Sequence, residues 1–294
     1  MPTTWLTPTL LRRLEALQLS VTSVRAGRAL GGRFAINRRG SSLEFADYAA
    51  YSAGDDIRAI DWNLYARLDR LFVKTYREEI ALSVELIVDA TGSMGVPTPQ
   101  KFERAKHIAI SLAYISLLGH HHARIGWVAP GALKITPWCH RRRDVLRLAE
   151  LSTLVRVGGA ISLAEWLQQA SLAAKIRGGQ AIMITDGMVS PAVFFRAVHS
   201  LRIRNVEVKV IQVLSPQELH PERLFGSSRL VDIETGATHQ LAYSDEELTR
   251  AVADHNALLI DFCRRQGVPF AQHRLDEPLE TLLTKTLPHH GFLE

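Results

Sequence analysis

Three oxygen-bearing side chains follow a short apolar run at residues 84–88. Asp89, Thr91 and Ser93 occupy alternate positions of a loop that extends to Gly95. One carboxylate and two hydroxyls are hard oxygen ligands, the type that Mg²⁺ prefers. The same residues also suit an ordinary turn from a strand to a helix, with the aspartate and the serine as capping groups. On these residues alone, both interpretations remain open.

A second aspartate, Asp186, follows another apolar run at residues 180–185. Open α/β sheets bind their ligands beyond the carboxyl ends of the strands, so Asp89 and Asp186 are predicted to lie side by side. Between them in the chain, residues 157–162 have the sequence Val-Gly-Gly-Ala-Ile-Ser and precede a helical pattern. The three loops are therefore predicted to converge on one polar cleft.

The elements that must position these loops are predicted from the spacing of apolar residues. From residue 81 onward, apolar runs typical of buried strands alternate with helical patterns, which predicts an α/β fold with a mainly parallel sheet and helices on both faces. The predicted strands are residues 84–88, 123–129, 134–137, 180–185, 206–214 and 268–273, and the predicted helices are residues 101–118, 144–154, 163–176, 191–201, 245–266 and 279–286.

The chain is predicted to contain an N-terminal lobe, residues 1–80, and a sheet domain, residues 81–294. The lobe has a helical pattern at residues 6–19 and a strand pattern at residues 71–76, which is predicted to lead into the core. Within the sheet domain, residues 217–244 are predicted to form an insertion with a hairpin, because a Thr-Gly pair separates two short strand patterns there.

Composition excludes several classes of protein. With 47% hydrophobic and 22% charged residues, the 294-residue chain is globular rather than disordered. The two cysteines, Cys139 and Cys263, lie far apart, which favours reduced thiols in the cytoplasm over a disulfide framework or a zinc site. No signal-peptide pattern and no run of about 18 apolar residues is present, so a soluble protein without a membrane span is predicted.

The net charge of +5 makes nucleic acid a partner to consider. The basic residues form only short clusters, at residues 38–39 and 141–143, without interleaved aromatic side chains. No base-reading motif is present. A solvated basic face is therefore favoured over a nucleic-acid interface.

The converging loops resemble the metal-ion-dependent adhesion site of von Willebrand factor A domains. The resemblance implies that an Asp-x-Ser-x-Ser loop, a threonine loop and a later aspartate hold Mg²⁺ or Mn²⁺, with one position open for a partner's carboxylate. By this resemblance Asp89, Thr91 and Ser93 form the first loop, with Thr91 in place of the first serine. Asp186 supplies the third loop.

The second loop departs from that pattern. Ala160 stands where the expected Gly-Gly-Thr sequence has its threonine, and alanine has no oxygen to offer a metal ion. Ser162, two residues later, is the remaining candidate for a hydroxyl ligand from this loop. Because water can replace one ligand of Mg²⁺, the departure predicts either a weakened metal site or hydrogen-bonded loops around a cleft without metal.

A second dense region, residues 42–79, interleaves aspartates and arginines with aromatic residues, which predicts an ion-pair network around aromatic anchors. It resembles the signature of the domain-of-unknown-function family fifty-eight at Gly54, Asp55, Asp56, Arg58, Asp61, Trp62 and Arg67, with Glu44-Phe45 and Val73-Lys74 at its ends. The resemblance covers residues 10–214. It implies a von Willebrand factor A-like fold and a role as adaptor or co-chaperone of a MoxR-type AAA+ ATPase.

The function implied by these resemblances is partner binding without catalysis, and no catalytic residue is assigned. A carboxylate of an acidic client protein would complete the metal coordination. The block from Asp55 to Arg67 would hold the lobe in place or contact the ATPase.

An enzymatic alternative rests on Ser93. The sequence from Thr91 to Gly95 approaches the Gly-x-Ser-x-Gly turn of α/β-hydrolases, and Asp186 with one of His199, His220 or His239 could complete a triad. A β-branched threonine at the first position fits that strained turn poorly, so the binding function is favoured.

Overall fold

The computed structural model describes residues 5–20, 43–78, 81–128, 134–158, 179–220, 229–231, 238–240 and 245–294. The chain divides into two compact units, a sheet unit (residues 1–20 and 82–294) and a small unit (residues 21–81). Helix α1 (Pro8–Leu14) begins after Thr7, whose side chain accepts a hydrogen bond from the backbone N–H of Leu10. The grouping differs from the predicted N-terminal lobe at residues 1–80, because α1 belongs to the sheet unit.

The small unit contains a two-stranded antiparallel sheet and a short helix. Strand β1 (Leu43–Ala50) pairs with β2 (Phe72–Glu78), and helix α2 (Trp62–Leu68) lies between them in the chain. The strand predicted at residues 71–76 is present, but the expectation that it leads into the core is wrong: among the described residues, β2 pairs with β1, and its Val73 forms an isolated bridge with Ile60 of the same unit. Its alternating Val-Lys-Thr pattern suits an antiparallel ribbon better than a strand buried on both faces.

The sheet unit is organised around one six-stranded sheet. The remaining strands of the chain are β3 (Ser83–Asp89), β4 (His122–Val128), β5 (Lys134–Ile135), β6 (Gly179–Thr185), β7 (Val206–Leu214), β8 (Arg229–Val231), β9 (Thr238–Gln240) and β10 (Phe270–Arg274). The sheet has the order β10-β7-β6-β3-β4-β5, and only β5 is antiparallel to its neighbour. Counted along the chain, this is the doubly wound order 3-2-1-4-5-6, and the predicted α/β fold class is confirmed.

Helices cover both faces of the sheet. They are α3 (Gln100–Leu118), α4 (Asp144–Thr153), α5 (Pro191–Arg202), α6 (Pro216–Leu219), α7 (Asp245–Arg265), α8 (Leu279–Thr281) and α9 (Leu287–His289), with a π-helical turn, Leu282–Thr286, between the last two. Among the described residues, no helix is both long and apolar enough to cross a bilayer. Strands β8 and β9 pair antiparallel, in line with the hairpin expected at residues 217–244, and the Thr-Gly turn itself lies outside the described residues.

Two hydrophobic cores lie on opposite faces of the sheet. Leu86 of β3 packs in a core with α1, α3 and α4, whereas the next residue, Ile87, packs in a second core with Phe194 of α5 and Leu259 of α7. Because both faces are covered, the central strands are buried along almost their whole length, and the charged residues Glu85 of β3 and Arg124 of β4 pair there at 3.1 Å.

The ends of the sheet unit are held together by a buried lysine. Leu19 and Leu293 form an antiparallel bridge. Beneath it the fully buried Nζ of Lys209 on β7 donates to the carbonyl oxygens of Ser20 and Gly291, the latter at 2.9 Å. Burial lowers the pKa of Lys209 despite a nearby glutamate. These bonds explain why the first 20 residues belong with the sheet.

Candidate functional site

The first predicted loop forms at the carboxyl end of β3, where Asp89 is the last residue of the strand and is 1% exposed. Its Oδ1 accepts hydrogen bonds from the backbone N–H of Thr91 at 2.9 Å and from the Thr91 hydroxyl at 2.7 Å. The Oγ of Ser93, in the 3₁₀ turn Gly92–Gly95, lies 3.0 Å from that hydroxyl. The three side chains predicted for the first loop are therefore joined in a hydrogen-bonded chain, with Thr91 between Asp89 and Ser93.

The other oxygen of Asp89 faces the neighbouring strand. Thr185, the last residue of β6, donates its hydroxyl to Asp89 Oδ2 at 2.7 Å. Burial and the charge of Asp186 raise the pKa of Asp89 to about 6, although hydrogen bonds from Thr91 and Thr185 oppose the shift. The two predicted aspartates thus lie close enough for like-charge repulsion, as expected at the point where a doubly wound sheet reverses its order.

Asp186 has its own cation. Its Oδ2 accepts a hydrogen bond from Lys101 Nζ at 2.9 Å, and its Oδ1 accepts one from the backbone N–H of Met188 at 3.0 Å. Both side chains of the Lys101–Asp186 pair are fully buried. Burial alone would lower the pKa of Lys101, but the charges of Asp186 and Glu218 outweigh it and the pKa is raised.

Glu218 is the second carboxylate that pairs with Lys101, and Ser215 holds it in place through its other oxygen. Its Oε1 pairs with Lys101 Nζ, while its Oε2 accepts from the backbone N–H and the hydroxyl of Ser215 at 2.8 and 2.9 Å. Ser215 and Glu218 form a capping box at the start of α6. Burial raises the pKa of Glu218, although the charge of Lys101 opposes this shift. One ammonium therefore joins α3, the loop after β6 and α6.

The loop after Asp186 is packed beneath α7. Gln212 of β7 donates from Nε2 to the backbone oxygen of Asp186 and to Asn256 Oδ1 of α7, both at 2.8 Å. Gly187 has φ +74°, and a Cβ there would lie 2.9 Å from Leu259 Cδ1. The positive φ favours glycine after Asp186, and a side chain there would also displace the end of Leu259.

The described start of the second loop reaches the first. The backbone N–H of Gly158 donates to the carbonyl oxygen of Ala90 at 3.1 Å. A Cβ on Gly95 would lie 2.9 Å from Cγ2 of Val157. The three loops therefore converge as far as this segment is described.

The remaining predictions for the second loop concern residues outside the described part of the chain. Ala160, expected to remove a ligand, and Ser162, expected to replace it, are both among them. The helix predicted at residues 163–176 is another. These remain predictions from the sequence.

The donor set at the cleft suits a hard cation better than a soft one. The described residues contain no group of three His, Cys, Asp or Glu side chains placed to hold a metal ion. The converging loops bring together two carboxylates, Asp89 and Asp186, and two hydroxyls, Thr91 and Ser93, and we use the word cleft for this group of side chains. A hydroxyl that donates its proton still has lone pairs for a cation, so these residues fit Mg²⁺ or Mn²⁺.

Among the described residues, the contacts of Ser93 include no base. Its Oγ contacts the Thr91 hydroxyl, and no imidazole lies within hydrogen-bond distance of it in the described ranges. Nucleophilic serines need an adjacent base, so the contacts give the hydrolase alternative no support.

Sequence analysis missed three residues of the cleft, Lys101, Thr185 and Glu218. A signal existed for two of them. Lys101 is in helical phase with the apolar stripe through Ala105 and Ile108, which marks it as inward-facing, and Ser-x-x-Glu after an apolar strand indicates a capping box. Their meeting with Asp186 depends on tertiary structure.

In the small unit, the aspartates of the predicted ion-pair network bond to backbone. Asp55 Oδ2 accepts from the N–H of Ser52 and Asp56 Oδ1 from the N–H of Arg58, both at 2.9 Å. Within the described residues, neither aspartate forms an ion pair with Arg58 or Arg67. Short acidic side chains bond readily to nearby backbone N–H groups, which explains this departure from the predicted network. Gly54 adopts φ +110°, a conformation that favours glycine.

Asp61 is the buried member of this block. Its Oδ1 caps helix α2 by accepting from the N–H groups of Asn63 and Leu64, and its Oδ2 pairs with Lys74 Nζ at 3.1 Å. The next residue, Trp62, is 58% exposed. It makes an edge-to-face contact with the half-exposed Tyr65 and is not a buried anchor as predicted.

Comparison with protein families and curated proteins gives two findings. The model of a family described as "Protein of unknown function DUF58" matches residues 47–258. Uncharacterized protein Rv1480 of Mycobacterium tuberculosis and uncharacterized protein Mb1516 of Mycobacterium bovis are each 25% identical over 279 residues, covering 92% of this chain and 86% of the relative.

Solved structures with similar folds include a von Willebrand factor type A protein from Catenulispora acidiphila, with a TM-score of 0.41, 18% identity and coverage of 75% of this chain and 44% of that chain. The conserved hypothetical protein BatB from Bacteroides thetaiotaomicron has a TM-score of 0.40, 14% identity and coverage of 71% and 98%. The SpRpn10 VWA domain has a TM-score of 0.42, 12% identity and coverage of 69% and 94%.

Proposed function

Since this chain belongs to the DUF58 family, we propose that it is a non-catalytic adaptor that binds partner proteins through its carboxyl-edge cleft. The observation that supports this proposal is the unequal charge balance of two converging carboxylates. Asp186 is paired with Lys101. Asp89 has no lysine or arginine within ion-pair distance among the described residues, and the charge of Asp186 helps to raise its pKa.

The ligand proposed for this cleft is Mg²⁺ or Mn²⁺, held by Asp89, Thr91, Ser93 and Asp186, with Ser162 as a further candidate. A bound divalent ion would supply positive charge beside Asp89 and an open position for a carboxylate of an acidic partner. Thr185 fixes the carboxylate of Asp89 through its hydroxyl.

Lys101 limits what the cleft can bind. Its ammonium neutralises Asp186 from the side of α3, together with Glu218. The cleft therefore keeps one carboxylate, Asp89, whose charge is uncompensated within the described residues. We expect a weaker metal site than one in which both aspartates lack a fixed cation.

The partner proposed from the family resemblance is a MoxR-type AAA+ ATPase, with an acidic client protein at the cleft. The surface of the small unit around Trp62 and Tyr65 is the proposed ATPase contact, because its aromatic side chains are exposed. A cytoplasmic location, predicted from the sequence, is part of the same proposal.

The test is thermal unfolding of the full chain in EDTA and in increasing Mg²⁺ or Mn²⁺. A ligand at 100 times its dissociation constant stabilises the folded state by about 2.7 kcal/mol, so the melting temperature should rise. Asp89→Ala should abolish the rise. Asp276→Ala is the matched control, because Asp276 is an exposed aspartate on the same unit, paired with Arg274.

An unchanged wild-type melting temperature at millimolar metal would contradict the metal site. A rise that persists in Asp89→Ala would place the ion elsewhere. Thr91→Val and Ser93→Ala refine the result, because each removes one hydroxyl and should weaken the response without abolishing it.

A further inference from the structure

A second recess in the sheet unit combines apolar and basic side chains. We call it the arginine groove: it has a volume of about 560 Å³ and is lined by Leu11 of α1, Tyr114 of α3, residues 141–143, Val145 and Leu146. Leu146 is 54% exposed, although it is a large apolar residue on α4. The groove therefore has an apolar floor that is exposed at Leu146 and half-buried at Leu11, and three exposed arginines line it as well.

One of the three arginines is already used within the fold. Arg142 pairs with Glu15, the residue that follows α1, and its guanidinium lies 5.3 Å from the centroid of the Tyr114 ring. The hydroxyl of Tyr114 also donates to Glu15 at 3.3 Å. This set forms a fixed wall of the groove.

The other two arginines, Arg141 and Arg143, are exposed, and their positive charges are available to a partner. No carboxylate lies within ion-pair distance of the Arg141 or Arg143 guanidinium in the described part of the chain. The nearby acid, Asp144, directs its Oδ2 to the backbone N–H groups of His140 and Arg141 at 3.1 and 3.0 Å. The segment is thus anchored through its backbone, while the side chains of Arg141 and Arg143 are exposed.

The arginine groove lies towards the amino ends of the parallel strands, whereas the cleft lies at their carboxyl ends. Cys139, just before the arginines, bridges to Ala123 near the start of β4. Val128, the last residue of the same strand, accepts a hydrogen bond from Ala90 beside the cleft. The strand spans seven residues, so the two sites are separated by about 20 Å.

We propose that the arginine groove binds an acidic peptide segment of a partner protein that carries one bulky apolar side chain. The apolar side chain would cover Leu146 and the half-buried Leu11, and flanking carboxylates would pair with Arg141 and Arg143. The volume suits one or two side chains. Guanidinium groups bind carboxylates through paired hydrogen bonds, so the positions of the arginines beside an apolar floor specify this chemistry.

Nucleic acid fits the same surface less well. Binding of single strands depends on aromatic faces on which bases stack. Tyr114, the one aromatic side chain of the groove lining, is 2% exposed and lies beside Arg142. The exposed surface therefore offers leucine and arginine side chains rather than a stacking platform.

The test uses fluorescence anisotropy with the full chain in EDTA. The probe is a short labelled peptide of glutamates with one central leucine, compared with the same peptide carrying serine in place of leucine. We expect the leucine peptide to bind at least about tenfold more tightly. The double variant Arg141→Glu/Arg143→Glu should weaken binding of the leucine peptide by about tenfold or more, and Leu146→Ser should weaken the leucine peptide alone.

The matched control is Arg250→Glu/Arg264→Glu, which makes the same charge change on exposed positions of α7. It should alter binding less than about twofold. Equal affinity for the two peptides, or equal loss in both double variants, would overturn the proposal. So would an oligothymidylate that binds as tightly and depends equally on Arg141 and Arg143, because this outcome indicates a general polyanion surface.

The peptide site at the arginine groove does not depend on the metal site at the cleft, so each can be tested without the other. Asp89→Ala should leave peptide binding in EDTA unchanged, and the arginine variants should leave the thermal response to Mg²⁺ unchanged. Loss of peptide binding in Asp89→Ala would contradict a site towards the amino ends of the strands.

Discussion

Asp61 of the small unit and Asp89 of the sheet unit form similar hydrogen bonds, but their pKa values are shifted in opposite directions. Both are buried, and both oxygens of each accept hydrogen bonds. Yet the pKa of Asp61 is lowered, with the bond from Lys74 as the largest cause, whereas burial and Asp186 raise the pKa of Asp89 to about 6.

The difference teaches that charge balance distinguishes a structural aspartate from a candidate ligand. Asp61 has a cation and a helix terminus to stabilise its charge. Asp89 has hydroxyl donors but, within the described residues, no cation. A carboxylate held in place by neutral donors beside a second acid is the arrangement that an external cation stabilises.

The largest expected effect tests the cation that the cleft already has. Lys101→Met leaves Asp186 and Glu218 buried without their shared ammonium, and losing one partner of a buried pair costs about 3–5 kcal/mol. Urea unfolding of the variant in EDTA should show this loss.

The control is Lys285→Met, at an exposed lysine, which should change stability by less than about 0.5 kcal/mol. The double variant Lys101→Met/Asp186→Asn removes one of the stranded charges and should recover part of the loss. If Lys101→Met were as stable as the wild type, the ammonium of Lys101 would not be the group that neutralises Asp186 and Glu218.

The second prediction concerns pH, because the two aspartates should act with opposite signs. A raised pKa means that Asp89 favours the folded state below pH 3.8 and that this stability, about 3 kcal/mol, is lost as the pH rises through about 6. A lowered pKa means that Asp61 favours the folded state above pH 3.8 and that this stability is lost as the pH falls through the folded pKa.

Urea unfolding between pH 3 and 8 in EDTA measures both effects. Asp89→Asn should flatten the decline in stability between about pH 4 and 6, whereas Asp61→Asn should reduce the acid-side loss below about pH 4. Changes of slope in the same direction would remove the distinction between the two carboxylates.

Patterning was sufficient to predict the sheet unit because its four central strands are buried on both faces. The six apolar runs appear as strands within one or two residues of their predicted bounds, and the order of the loops placed Asp89 and Asp186 at one edge. Lys101 could not be assigned to Asp186 from the sequence, since 85 residues separate them and the pairing depends on how α3 packs.

The small unit was predicted less well for a different reason. Its aspartates bond to backbone N–H groups two or three residues away, a local interaction that competes with the ion pairs inferred from charge density. The charged residues around Arg58 therefore belong to turns whose backbone N–H groups are capped by aspartates, and not to the predicted ion-pair network. The pairing of β1 with β2 also joins strands more than twenty residues apart in a ribbon without a continuous apolar run.

The smallest expected effect separates structure from binding within the small unit. Asp61→Ala removes the cap of α2 and the partner of Lys74, so the melting temperature should fall by about 2–4 °C. Trp62→Ala removes a side chain that is 58% exposed and should change the melting temperature less. If the small unit contacts the ATPase, pull-down with a purified MoxR-type ATPase should weaken for Trp62→Ala and persist for folded Asp61→Ala.

The matched control for this pair is Leu258→Ala, which truncates another exposed apolar side chain on the sheet unit and should change neither result. Equal binding by all three variants would move the ATPase contact away from the small unit. Equal loss of binding by Asp61→Ala and Trp62→Ala at matched folded fractions would mean that Asp61 contributes directly to the contact. Its lowered pKa would then belong to a binding residue, and charge balance alone would no longer separate the two aspartates.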